Sequence, residues 1–389
     1  MNLRFILPVL LFHALSIGQI ASERLGATQN ESKTPENAHP VQVHKTDEAL
    51  VKDTMFSQYH KLKKALLKYQ AIKKDGGWET VNFDNKTALR YGSASPTIGI
   101  IRKRLFTEGY LSVNSQSSEF DDELLQALAQ YQNKHNLPCD STITSGLITS
   151  MNIPVTERIA TIEVNLERSR LIRPDTSQNY IAINIPAFKL YFYRNEKLFL
   201  ESKVVVGKEA TQTVIFNGVM EQIVFCPYWN IPGSIARKEI LPAIKRNPKL
   251  FSQMRLEWHN GNLRQKPGAS NALGLVKFIF PNSNHIYLHD TPLKAYFKES
   301  KRAFSHGCIR VEKACELATN IMKHDYGWSD EQTLAAMALG KEKAYRLKTK
   351  IPVYISYFTA WADDHGMVSF YADLYGHDAR TDQGRSVQK

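Results

Sequence analysis

Apolar residues change their spacing twice along this chain of 389 residues. Between Glu48 and Lys74, Leu50, Met55, Tyr59, Leu62, Leu66, Tyr69 and Ile72 recur every three to five positions with lysines between them. That is the spacing of one helical face. Gly76-Gly77 ends the pattern. Ile98, Ile101 and Leu105 predict a second helix that stops near Gly109. Phe120-Asp121-Asp122-Glu123 opens a third, running through Leu124, Leu128 and Tyr131, with its acidic residues at the positive end of the helix dipole. A short helix follows from Ser141, and Val155 to Leu171 reads as a helical connector.

From Tyr180 the period falls to two. Ile181, Ile183 and Ile185 alternate with Ala182 and Asn184. Leu190 to Tyr193, the turn at 194–197, and Leu198 to Val206 read as a hairpin. Further strands are predicted at Val214–Phe216, Val219–Phe225, Val276–Phe280, Ile286–His289, Val353–Phe358 and Val368–Tyr371. Two helical insertions interrupt them, Ser234 to Met254 and Glu312 to His324. A further helix opens at Ser329-Asp330-Glu331-Gln332, a capping-box pattern, and ends at Gly340. The fold class expected is α+β: a mixed β-sandwich or barrel-like pair of sheets with helical insertions, preceded by an all-α part. The expected divisions are a scaffold at 48–93, a three-helix module at 94–153, a connector at 154–178, a β-rich domain at 179–375 with an insertion at about 234–270, and a tail at 376–389.

The first 47 residues fit neither period. Arg4, an apolar run from Phe5 to Ile17 and the small residues Gly18, Ala21 and Ser22 read as a secretory signal peptide over 1–22. The run is short of the ~20 residues a spanning helix needs. The expectation is an exported, periplasmic protein, peripheral to the envelope, with no transmembrane segment once the signal is removed. Residues 23–47 are polar and are expected to form a disordered linker.

A net charge of +12 admits nucleic acid, an anionic surface or a carboxylate-rich polymer as partner. The basic residues are scattered (Lys61, Lys63, Arg237, Lys238, Lys245) and no nucleic-acid-binding signature accompanies them, so no nucleic acid partner is expected. Four cysteines, Cys139, Cys226, Cys308 and Cys315, are too few for a disulfide scaffold in a chain this long. Cys315 lies in an amphipathic helical pattern and is assigned to packing.

The densest chemistry lies in Ile286-Tyr287-Leu288-His289 and, after a gap of 15 residues from His289, Ser305-His306-Gly307-Cys308-Ile309-Arg310. A thiol becomes a nucleophile when an imidazole takes its proton. Cys308 is the candidate nucleophile and His289 the candidate base, held by an acceptor such as a backbone carbonyl near Asp290. His306, Gly307 and Ser305 are candidates for supporting the turn, and the amides around Gly307 and Cys308 for an oxyanion hole. Zinc ligation by His289, His306 and Cys308 competes, with Asp290 as the best fourth ligand, as does a purely structural cysteine.

The motif decides between them by resemblance. His289, the gap, and Ser305-His306-Gly307-Cys308 resemble the signature of the L,D-transpeptidases, cysteine enzymes of peptidoglycan cross-linking. Asn184 to Phe188, Val204 to Lys208, Pro227 to Pro232, Lys277 to Asn282 and Lys301 to Phe304 extend the likeness. Gly109-Tyr110-Leu111, Phe120-Asp121 and His135 to Asp140 resemble the three-helix peptidoglycan-binding module, and the whole resembles the large periplasmic subgroup with scaffold, binding module and catalytic domain. His135 itself is expected to be a cap or surface residue. The resemblance implies a 3–3 cross-linking acyl transfer through a Cys308 thioester with release of D-alanine. It implies substrate contacts from Tyr287, Arg310, Trp229 and Asn230, peptidoglycan stem peptides as partners, carbapenem-type β-lactams as covalent inhibitors, and neither cofactor nor metal. An L,D-carboxypeptidase, a lipoprotein-anchoring enzyme and a non-catalytic wall-binding protein remain the alternatives. The chain departs from the common pattern at Arg310, where many members carry Asn, and at Val214, where the subgroup usually has Pro. Cys139 and Cys226 stand where other residues are expected, and Cys226 is a candidate second thiol near the cleft.

Overall fold

The computed structural model describes residues 58–83, 89–140, 142–172, 179–195 and 197–379. The expected signal peptide and linker lie outside them. So do Leu50 and Met55.

Helix α1 (Gln58–Lys74) pairs with α5 (Val155–Leu171). Leu62, Ala65 and Tyr69 of α1 and Ile162 and Leu166 of α5 share a core with Ala360, Ala362, Val368 and Phe370. Those last four belong to a small hairpin, Ala360–Ala362 and Val368–Phe370, late in the chain. The N-terminal helices are thus completed by residues some 200 positions downstream of α5. Gln58 fixes the junction by exchanging two hydrogen bonds with the Ala362 backbone.

Three helices follow α1: α2 (Pro96–Glu108), α3 (Asp122–Lys134) and α4 (Ser145–Met151). Ser95, Asp121 and Thr144 cap them through side-chain oxygens. Ile98, Ile101, Leu105, Leu124, Leu128 and Met151 fill the core between them. Arg102 and Arg104 are buried as well, each beside a carboxylate: Arg102 pairs with Asp121 and Glu123, and Arg104 with Glu108.

The β-rich part is one nine-stranded mixed sheet. Its strands are β1 (Tyr180–Asn184), β2 (Lys189–Arg194), β3 (Lys197–Gly207), β4 (Phe216–Phe225), β5 (Val276–Ile279), β6 (Leu288–His289), β7 (Ala303–Ser305), β8 (Ile309–Val311) and β9 (Lys343–Ser356). The order is β7-β3-β8-β6-β5-β4-β9-β1-β2, and β2 also pairs with β3. The sheet therefore closes on itself, and the two expected layers are opposite walls of one sheet. Closure leaves β7, paired only with β3, as the remaining edge. Ile181, Ile183, Val204, Val206, Phe225, Phe278 and Leu288 point into the shared core. The helix Ala314–Tyr326 lays Leu317, Ala318 and Ile321 into the same core. Each Val, Leu, Ile or Phe among them, fully buried, contributes about 1.5–3 kcal/mol.

The insertion between β4 and β5 is not one helix from Ser234 to Met254. It breaks into Gly233–Ile235, a π-helical turn Ala236–Ile240, Leu241–Arg246 and Lys249–Gln253. Pro248 separates the last two, since it lacks the amide a continuing helix requires. A hairpin follows, Leu256–His259 and Asn262–Gln265, turning at Asn260-Gly261 with both residues at positive φ. The insertion has its own small core of Ile231, Ala236, Leu256 and Leu263. Among the described residues, no helix is long and apolar enough to cross a membrane.

Candidate active site

The site is built by strand register. β5, β6 and β8 are adjacent, with Lys277 opposite His289 and His289 opposite Arg310. Side chains alternate along a strand, so in-register neighbours share a face. Val276, Phe278, Ile286, Leu288, Ile309 and Val311 all face the core. Lys277, Tyr287, His289, Cys308 and Arg310 hold the alternate positions and share the other face. Residues 21 positions apart in sequence become neighbours because β6 and β8 run parallel in this register.

The turn carrying Cys308 is stitched from several directions. Ser305 Oγ donates to the Cys308 carbonyl at 2.5 Å and accepts the Gly307 amide at 3.1 Å. Thr213 Oγ1 donates to the Gly307 carbonyl at 2.8 Å and accepts the Gly207 amide at 2.9 Å. Thr211 Oγ1 donates to the Ser305 carbonyl at 3.0 Å. Gly307 has φ +114°, a conformation that a side chain would strain. The Gly307 amide, expected as an oxyanion donor, is thus already committed to Ser305. The Cys308 amide has no hydrogen-bond partner among the described residues.

Cys308 is half-buried. Its thiol donates to the His285 carbonyl at 3.8 Å and is hydrogen-bonded by Tyr287. Burial pushes the thiol above its usual range, while the Tyr287 hydrogen bonds and Arg310 pull the other way. Burial likewise raises the Tyr287 phenol, with the neighbouring Cys308 adding to the effect.

His289 is 5% exposed. Its Nδ1 donates to the Asp290 carbonyl at 2.5 Å. A carbonyl only accepts, so Nδ1 carries the proton and the neutral ring keeps Nε2 bare. Asp290 is itself pinned: its carboxylate accepts the Leu275 amide at 3.0 Å and pairs with Lys294 at 2.6 Å. Gly274 makes room, since a Cβ there would lie 2.2 Å from the Asp290 carboxylate. Burial, then the charge of Arg310, brings His289 down to about 3, with Lys277 adding to the effect. The imidazole is therefore neutral at physiological pH. Among the described residues, no hydrogen bond joins Cys308 to His289 directly.

Arg310 is half-buried, has no ion pair among the described residues, and keeps its Nε without a partner. Its guanidinium lies 5.7 Å from the Tyr296 ring. The exposed His306 points away from this face: its Nε2 bonds Glu239 Oε1 at 2.7 Å and ties the turn to the π-helical segment of the insertion. Trp229 and Asn230 pair with Gln265 and Arg264 at the root of the insertion. Trp229 packs on the insertion's core and Asn230 is exposed. No described contact of either reaches Cys308 or His289.

All four cysteines are free thiols. Cys226 is buried and donates to the Met337 carbonyl at 3.1 Å, so it presents no second thiol at the site. Sequence reading missed Thr211, Thr213, Glu239 and Lys277, whose roles depend on partners 12 to 94 positions away. Lys277 alone left a signal, a charged residue alternating with Val276 and Phe278.

Residues 178–355 match the YkuD family, described as the L,D-transpeptidase catalytic domain. A curated Haemophilus influenzae protein assigned as an L,D-transpeptidase is 33% identical over 251 residues, 59% of this chain. The chain spans half the length of that relative. An L,D-transpeptidase from Xylanimonas cellulosilytica is similar at 12% identity, covering 71% of this chain and 100% of that one, with a TM-score of 0.24. One from Stackebrandtia nassauensis is similar at 11% identity, covering 71% and 96%, with a TM-score of 0.29. Neither superposition supports transfer of residue roles. The sequence match rests on the segment that holds both the closed sheet and the Cys308 turn, and residues 178–355 thus match the L,D-transpeptidase catalytic domain of the YkuD family.

Proposed function

We propose that this protein is an exported cysteine L,D-transpeptidase that joins peptidoglycan stem peptides by 3–3 cross-links. The carrying observation is His289: one ring nitrogen is committed to the Asp290 carbonyl and the other is left bare, on the same sheet face as Cys308. That is the tautomer a general base needs.

His289 Nε2 takes the Cys308 proton as the sulfur attacks the carbonyl of the third stem residue. A C–S bond forms, the oxygen charge falls on the Cys308 amide, and the C–N bond to D-alanine breaks. The imidazolium returns its proton to the departing amine. A side-chain amine of a second stem then attacks the thioester, with His289 again as base. The new C–N bond releases the thiol. Tyr287 steadies the sulfur.

Arg310 admits two readings, a substrate anchor or a structural ion pair. A half-buried guanidinium with no counter-charge is costly. It favours the anchor: a stem-peptide carboxylate would complete its hydrogen bonding in the forked geometry Arg prefers. In this reading Trp229 and Asn230 hold the insertion as a wall beside the cleft. The helices at 94–153 serve as the peptidoglycan-binding module, and residues 1–22 as the export signal.

The test is intact-mass analysis of the full chain with a disaccharide-tetrapeptide, and separately with a carbapenem. A covalent adduct is expected on the native protein and none on Cys308→Ala of unchanged circular dichroism. An adduct on Cys308→Ala overturns the reading. Product masses separate the acceptors: a 3–3 dimer is expected, while a tripeptide alone makes water the acceptor and a protein conjugate makes it a lipoprotein lysine.

A further inference from the structure

Three adjacent strands place a cation, a histidine and a cation in one row. Lys277 on β5 is opposite His289 on β6, and His289 is opposite Arg310 on β8. With neighbouring strands ~4.8 Å apart, the two cationic residues lie roughly 10 Å apart at the backbone, with the base between them. Both are half-buried on the face that carries Cys308. Neither forms an ion pair among the described residues. Glu342 is the carboxylate that acts on Lys277 at longer range, but its Oε2 is held by the Tyr228 amide at 2.7 Å. The other cation near this turn is neutralised: Lys294 pairs with Asp290.

Leaving an ammonium half-buried without a partner is unfavourable, and burial lowers the Lys277 pKa accordingly. A methionine or leucine would cover the same surface at no such cost. Core packing therefore does not account for the charge, whereas an incoming anion does.

We propose that Lys277 is a specificity-determining residue that reads a second carboxylate of the donor stem. Arg310 takes one carboxylate and Lys277 another, on opposite sides of His289. The site then selects a peptide with two carboxylates spaced to bridge the row and holds its scissile carbonyl over Cys308. This inference rests on the transpeptidase reading and specifies its donor.

Two synthetic tetrapeptides that differ only in a side-chain carboxylate or carboxamide on the third residue provide the test. The full chain should acylate with the carboxylate form at about 10- to 100-fold lower KM, the range for one charge-assisted hydrogen bond, with kcat within about twofold. Lys277→Met should lose that preference by raising KM for the carboxylate form alone, and Lys277→Arg should restore most of it. Equal KM for both peptides on the native protein overturns the proposal without any variant. So does an equal loss on both peptides in a folded Lys277→Met, since that marks a structural lysine. Absence of acylation by either peptide and by the carbapenem would instead bring down the transpeptidase reading itself.

Discussion

Two buried histidines in this molecule look alike until their second nitrogen is considered. His135 closes α3 in the helical region, and His289 closes β6 in the closed sheet. Each is 5% exposed, and each is held in the neutral form mainly by burial and then by arginine. His135 spends both nitrogens: Nδ1 donates to the Phe370 carbonyl at 3.2 Å, and Nε2 accepts from the Tyr110 hydroxyl at 3.3 Å. Its ring is stacked 4.0 Å from Tyr131. His289 spends one nitrogen, and its other has no hydrogen-bond partner among the described residues. Burial and a depressed pKa do not separate a structural imidazole from a chemical one here. Under the proposed mechanism the uncommitted nitrogen does.

The largest effect that can break this comparison is on chemistry. His289→Gln should slow acylation of Cys308 by roughly 10²- to 10⁴-fold, the range for a lost general base. His135→Gln should leave that rate within about twofold. Stopped-flow or mass-resolved acylation kinetics would read both, and a comparable loss in the two variants would end the distinction.

Stability should respond the other way. His135→Ala opens a cavity between Tyr131 and Phe370 and strands the Tyr110 hydroxyl, at a cost of about 2–4 kcal/mol. Urea unfolding with a probe on the N-terminal helices would measure it. A change below about 0.5 kcal/mol would mean that the ring contributes only surface contacts.

Both histidines should make the fold sensitive to acid. An unfolded histidine takes a proton near pH 6.5, whereas folded His289 resists until about 3. Through that window the unfolded chain binds more protons, so stability falls as pH falls from 6.5 toward 3. His135, also held well below its ordinary value, adds to the same slope. Replacing either by Gln should flatten it in urea titrations at several pH values. The acylation rate, for its part, should show no inflection near 6.5, because His289 is already neutral there. An inflection at 6.5 would mean that the base is solvated.

The smallest effect sharpens how the helical region is tied down. Lys134 pairs with Asp363 beside His135, with both side chains partly exposed. Lys134→Ala should cost less than about 1 kcal/mol. A larger loss by thermal unfolding would shift the weight of the junction from the stacked ring to the ion pair.

Some of this was legible from local sequence. α5 runs over Val155–Leu171 as the spacing predicts, and the capping box at Ser329 and Gln332 is formed in both directions. β9 was half-seen: its reading began at Val353, but the strand starts at Lys343. Lys343, Arg346, Lys348 and Lys350 make that half look like a loop, although the ladder to β4 continues through much of it. The hairpin at 256–265 was also missed, although Asn260-Gly261 is the dipeptide that favours such a turn. His135 was read as a cap or surface residue. It is a cap, but Phe370, 235 positions away, covers it.

Hydrophobic period and motif spacing are properties of a short window, and they were enough for most of the helices and strands, the α+β class, and the separation of His289 from Cys308. Tertiary structure decided the rest. Closure of the sheet set the parallel register that brings Cys308 beside Tyr287 and lines Lys277 and Arg310 up on either side of His289. A pinned Asp290 chose which ring nitrogen holds the proton. Register and tautomer depend on packing between strands far apart in the chain, and no window of sequence contains both partners.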